Sequence, residues 1–130
     1  MTQVKTKGMV EAEICDAMIR FEKEYMGRGP IETRTYIIDD MIIVRLKGVL
    51  TKAEEQLTKS KEGLFLIKKV RVTLLEESRA LLQDIITTIT RSTIISMHTD
   101  ISTTTGERVI LFTLDKNLES LFLENKTKKN

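Results

Sequence analysis

The sequence predicts an α+β fold, a two-layer sandwich of helices packed on a mostly antiparallel four-stranded sheet. Three observations predict it. Two segments read as β-hairpins, each a pair of β-branched, apolar runs around a polar or glycine turn. Apolar residues at three- and four-residue steps mark helices between and around them. The resulting order is α-β-β-α-α-β-β-α, and hairpins separated by helices close an antiparallel sheet with its helices segregated.

The first helix is expected over residues 9–26, where Val10, Ile14, Ala17, Met18, Phe21 and Tyr25 form one stripe. Gly27 and Gly29 supply a left-handed stop, and Pro30 prevents continuation. Strands over Arg34–Ile38 and Met41–Leu46 then flank an Asp39-Asp40 turn, with Ile42, Val44 and Leu46 on one face. Thr51-Lys-Ala-Glu54 fits a capping box, in which hydroxyl and carboxylate satisfy free amides reciprocally, so a short helix should occupy 51–59.

Beyond Ser60 and Gly63 the spacing predicts one helix to Ile89, about 28 residues and roughly 42 Å long at 1.5 Å per residue. Leu64, Ile67, Val70, Leu74, Leu81, Ile85 and Ile89 form the stripe expected to face the sheet. Leu66, Leu75, Leu82 and Ile86 lie partly off it, and an exposed patch of that size usually marks an interface. A homodimer is therefore expected, with Leu75, Leu82 and Ile86 at its seam. The second hairpin runs over residues 93–101 and Arg108–Leu114 around a surface turn at Thr103–Gly106. Leu118, Leu121 and Phe122 close the chain with a short helix.

At 130 residues the chain suits one domain, expected at 9–123 between a flexible N-terminus (1–8) and a flexible tail (124–130) bearing Lys126, Lys128 and Lys129. Its 21 basic and 19 acidic residues leave a net charge of +2, too balanced for an electrostatic footprint on nucleic acid or anionic lipid. No apolar run reaches the length of a membrane span, and the first residues lack a secretory core. The single cysteine, Cys15, rules out an intrachain disulfide and reads as a near-core residue. A cytoplasmic location without membrane insertion is expected.

Polar residues gather at the second hairpin. On a regular strand His98 and Asp100 share a face, with Thr93, Ile95, Met97, Thr99 and Ile101 on the other. A histidine beside a carboxylate can be an oriented base, yet no nucleophile stands near it in sequence, and a hydrogen-bonded strand face is the plainer reading. Arg28, in a turn at a helix C-terminus, suits a carboxylate or other anion through its guanidinium fork. Arg28, His98, Asp100 and Arg108 are thus the candidate polar contact cluster. One histidine with scattered carboxylates makes no metal set, so neither metal nor cofactor is expected, nor catalytic residues.

Three segments carry a resemblance: Phe21-Glu-Lys-Glu-Tyr-Met-Gly-Arg-Gly-Pro30, the hairpin Asp40–Thr51 with Ala53-Glu-Glu-Gln-Leu57, and His98-Thr-Asp-Ile-Ser-Thr-Thr-Thr-Gly-Glu-Arg-Val109. Together they resemble the MpsC-like domain family over roughly residues 9 to 118. The resemblance implies a bacterial partner or regulator associated with a sodium-linked membrane-potential-generating system related to inorganic-carbon uptake, and brings no catalytic residues. The leading expectation is therefore a non-enzymatic accessory or regulatory protein that works by protein contact, with a membrane transporter subunit as partner. Two alternatives stand beside it. The order α-β-β-α-α-β is also that of some K-homology nucleic-acid modules, but the matching junction Thr58–Gly63 has one glycine and aromatics are only 5%. The other is a small-molecule sensor at the His98, Asp100 and Arg108 end of the second hairpin.

Overall fold

The computed structural model describes residues 5–128, with side chains through Glu124. Its elements in chain order are α1 (Lys7–Tyr25), β1 (Glu32–Ile38), β2 (Met41–Lys47), α2 (Lys52–Leu57), α3 (Lys61–Glu77), α4 (Arg79–Thr90), β3 (Ile94–Ser102), β4 (Glu107–Leu114) and α5 (Leu118–Lys128). The four strands form one antiparallel sheet in the order β1-β2-β4-β3. Both hairpins pair internally, and β2 and β4 join them at the centre, with Val44 opposite Ile110 and Ile42 opposite Phe112. The α+β order matches the one expected from sequence.

Local chemistry explains most boundaries. Thr6 caps α1 by accepting from the Met9 amide, so the helix starts ahead of the expected residue 9. It stops at Met26, followed by Gly27 at φ +91°; Gly29 needs no positive φ and instead lies against Lys23. Asp39 turns the first hairpin at φ +53°, a region that aspartate tolerates better than most residues. The Thr51–Glu54 capping box forms as the spacing requires. Gly106 adopts φ +73°, and Thr104 and Thr105 of its turn are exposed, as expected of a surface turn. Its glycine is buried against Leu50, and its carbonyl accepts from the Val49 amide at 3.1 Å. The closing helix reaches Lys128; the flexibility expected of both ends falls largely outside the described residues.

The core lies between one sheet face and the helices. Ile37, Ile42, Val44, Leu46, Ile110 and Phe112 supply the sheet side; Ile14, Met18, Phe21, Ile67, Leu75, Leu82 and Ile86 supply the helix side. Two expectations need correction. The long helix is broken at Ser78, which closes α3 and opens α4 with non-helical φ −97°, ψ 5°. A straight rod of about 42 Å would overrun a strand of nine residues, about 30 Å long, so the break keeps both halves on the sheet. Secondly, β3 carries a register irregularity between Ile94 and Ser96. It turns Ile94 onto the core and leaves Ile95 66% exposed, the reverse of strict alternation.

Candidate functional site

The expected dimer seam is core. Leu75, Leu82 and Ile86 are each 0% exposed, so no second subunit can reach them. The physical reason is Arg71. The buried face of α3 runs Gly63, Ile67, Arg71, Leu75 at strict four-residue steps, and it continues to Leu82 and Ile86. A charged residue in the middle of that face shifts an apolar reading of it by one position. Leu66, Val70 and Leu74 consequently line an exposed ridge, with the 65% exposed Phe65 further round the helix.

Nor does the expected polar cluster converge. His98 and Asp100 point to the sheet face that no helix covers. Asp100 accepts from the Ile101 amide and lies 3.4 Å from Lys68 of α3; the backbone bond, opposed by slight burial and aided by Lys68, holds its carboxyl below its ordinary pKa. Arg28 donates to the Leu50 carbonyl at 3.0 Å, tying the α1–β1 loop to the start of α2. Arg108 alone points inward, alternating with Ile110, Phe112 and Leu114. Gly63, the glycine of the junction weighed for nucleic-acid grip, is buried: a Cβ there would meet the Leu57 carbonyl oxygen at 1.8 Å. Cys15 contacts the Thr33 carbonyl and the Thr35 hydroxyl at the α1–β1 interface.

Where Arg108 points, the structure assembles a group that sequence reasoning missed. Glu22 of α1, Arg71 of α3 and Arg108 of β4 are all essentially without solvent contact. Arg71 is the best held: Nε donates to Glu54 at 2.8 Å, Nη2 to the same carboxylate and to the Val49 carbonyl. Its Nη1 stands 3.9 Å from Glu22, and Arg108 Nε stands 3.7 Å from the other Glu22 oxygen. Those separations are ion pairs but not hydrogen bonds, and both Glu22 oxygens, Arg71 Nη1, and Nε and Nη2 of Arg108 lack a hydrogen-bond partner.

Burial is the chief influence on Glu22 and raises its pKa, against the pull of Arg108 and Arg71. Burial likewise lowers Arg108, with Glu22 opposing. For Glu54 burial works upward, but the hydrogen bonds from Arg71 and Thr51 prevail and bring it down. Two arginines and two glutamates balance, so the group ties α1, α2, α3 and β4 together without net charge. A signal existed: Glu22 follows Ile14 and Met18 at four-residue steps, Arg71 follows Ile67, and Arg108 begins the buried alternation of β4. Charges at core register positions announce one another.

Between α1 and α4 runs a groove of about 340 Å³, lined by Phe21, Leu81, Ile85 and Ile89 together with Arg20, Glu24 and Asp84. Phe21 and Tyr25 stack in it at 5.3 Å between ring centroids. Among the described residues no group of three or more His, Cys, Asp or Glu could hold a metal ion. None of their helices is long and apolar enough to cross a membrane.

Fold and surface thus define a small α+β domain with an internally neutralised core and apolar side chains left in water. By comparison with known proteins it belongs to the MpsC family, described as a Na+-translocating membrane potential-generating system, whose model matches residues 6–116. The chain is also similar to YbcI of Bacillus subtilis (strain 168), itself called uncharacterised. Identity is 47% over 121 residues, which span 90% of this chain and 98% of that protein. No solved structure matches.

Proposed function

We propose that this chain is a non-catalytic accessory subunit of a membrane-potential-generating ion transport system, acting by protein contact. The observation that carries the reading is the family match across residues 6–116, set beside the lack of a membrane-crossing helix among the described residues. A chain of that kind reaches a membrane system by docking on one of its subunits. The sheet face opposite the helices suits such docking: Tyr36 and Ile38 stand exposed there, beside half-buried Met41, Ile43 and Leu111. Around them Arg45–Glu107 and Lys47–Glu32 ion pairs give the rim polar specificity.

The test is affinity capture of the tagged chain from cross-linked native host membranes. A membrane-embedded ion-transport subunit should co-purify with the wild type and be lost with the folded Tyr36→Glu/Ile38→Glu variant. Recovery of soluble proteins alone would overturn the reading.

A further inference from the structure

The two edges of the sheet are finished differently. On β1 the outward amide of Ile37 donates to Glu11 of α1 at 2.8 Å, and Cys15 of the same helix lies against the Thr33 carbonyl. α1 thereby seals that edge. The other edge is β3, and the ladder fixes which of its backbone groups face outward. Leu114 donates to Asp40 on the β2 side, so Thr113, Leu111, Val109 and Glu107 bond towards β3. Their opposites are Ser96, His98, Asp100 and Ser102, which leaves the amides and carbonyls of Met97, Thr99 and Ile101 pointing away from the sheet. Among the described residues no other element bonds to those groups. The Ile101 amide is met only by the neighbouring Asp100 carboxylate, at 2.8 Å.

We propose that β3 is the two-fold seam of a homodimer, pairing antiparallel with β3 of a second copy about Thr99 and joining the two sheets into one. An unpaired strand is a template for another strand, and here the side chains select both the occupant and the register. With Thr99 opposite the second copy's Thr99, Met97 and Ile101 exchange backbone bonds reciprocally. Directly opposite residues share a sheet face, so His98 then meets the second copy's Asp100 on the open face, once on each side of the axis. That pair falls at a non-hydrogen-bonded position, where side chains approach most closely. A slip of two residues, the smallest that keeps the faces, sets His98 against His98 or Asp100 against Asp100. As the second copy's Met97 carbonyl takes the Ile101 amide, the Asp100 carboxylate is freed to accept from the imidazole N–H. Lys68 of α3 reaches Asp100 at 3.4 Å, but both side chains are more than half exposed, and a pair of that kind yields readily. Because both β1 edges stay sealed, the joined sheet closes as a dimer and does not grow. Tyr36 and Ile38 lie on β1, the far strand, so the pairing stands whether or not the transport reading does.

Sedimentation and amide hydrogen exchange of the purified full chain, over about 1–100 μM, test it. The wild type should approach twice the chain mass of 14.9 kDa, and the Met97 and Thr99 amides should gain protection over the same concentrations. His98→Glu sets carboxylate against carboxylate on both sides of the axis and should weaken association about tenfold, whereas His98→Lys should strengthen it. Thr99→Pro removes an outward amide without touching the β3–β4 ladder, and should abolish pairing with the circular dichroism unchanged. A monomeric wild type at about 100 μM overturns the proposal while leaving the membrane-partner test untouched. So does a dimer whose Met97 and Thr99 amides exchange as fast as in the monomer, or one that His98→Glu and His98→Lys affect alike.

Discussion

Arg71 and Arg108 are buried to the same extent, 2% exposed, yet they are held very differently. Arg71 makes three hydrogen bonds to Glu54 and Val49; Arg108 faces Glu22 at 3.7 Å with Nε and Nη2 unbonded. Removing Arg71 strands a partly buried Glu54 and a buried carbonyl, whereas removing Arg108 lets Glu22 answer by taking a proton. Arg71→Met should therefore cost about 3–5 kcal/mol, as for other broken buried pairs, and Arg108→Met under about 2 kcal/mol. Urea unfolding of the two variants checks the difference; equal losses would contradict it.

The two glutamates have opposite pH signatures. Glu22 has its folded pKa raised, so its contribution is full below the ordinary 4.5 and fades as pH rises through the folded value. Glu54 is lowered, so its contribution is present above 4.5 and is lost as pH falls through its depressed folded value. In Glu54→Gln the acid loss of stability below 4.5 should be shallower than in the wild type, at lower stability near neutrality. Denaturation midpoints at about pH 6 and about pH 3.5 would show it, and parallel curves would refute it.

At the scale of elements, α3 decides the most and was hardest to read. Its capping serine, Ser60, accepts from the Gly63 amide at 3.0 Å, and Gly63 lets α3 start within a Cβ's width of the Leu57 carbonyl at the end of α2. Any side chain at residue 63 forces the two helices apart. Gly63→Ala should lower stability by several kcal/mol even though alanine is the better helix former, with the loss read by thermal melting. A neutral or stabilising alanine would mean that the α2–α3 junction yields. The hairpins were easier: Asp39-Asp40, Gly48 and Gly106 punctuate them as turn chemistry requires, and only the bulge near Ile95 lacked a local mark.

On the scale of the whole molecule, the sheet leaves one face to water and α3 leaves one ridge. Both leave apolar side chains in water, Tyr36 and Ile38 on the strands and Leu66, Val70 and Leu74 on the helix. The internal charge group lies between them, joining α1, α2, α3 and β4. The sequence by itself determined the element order, the hairpin turns, the Thr51 capping box and the family, because each is written in neighbours a few residues apart. Only the tertiary structure decided the break at Ser78, the scattering of Arg28, His98, Asp100 and Arg108, and which side of α3 faces inward. The reason is that helix phase follows what is buried, and Arg71 is buried only because Glu22 and Glu54, 49 and 17 residues away in sequence, fold back to neutralise it.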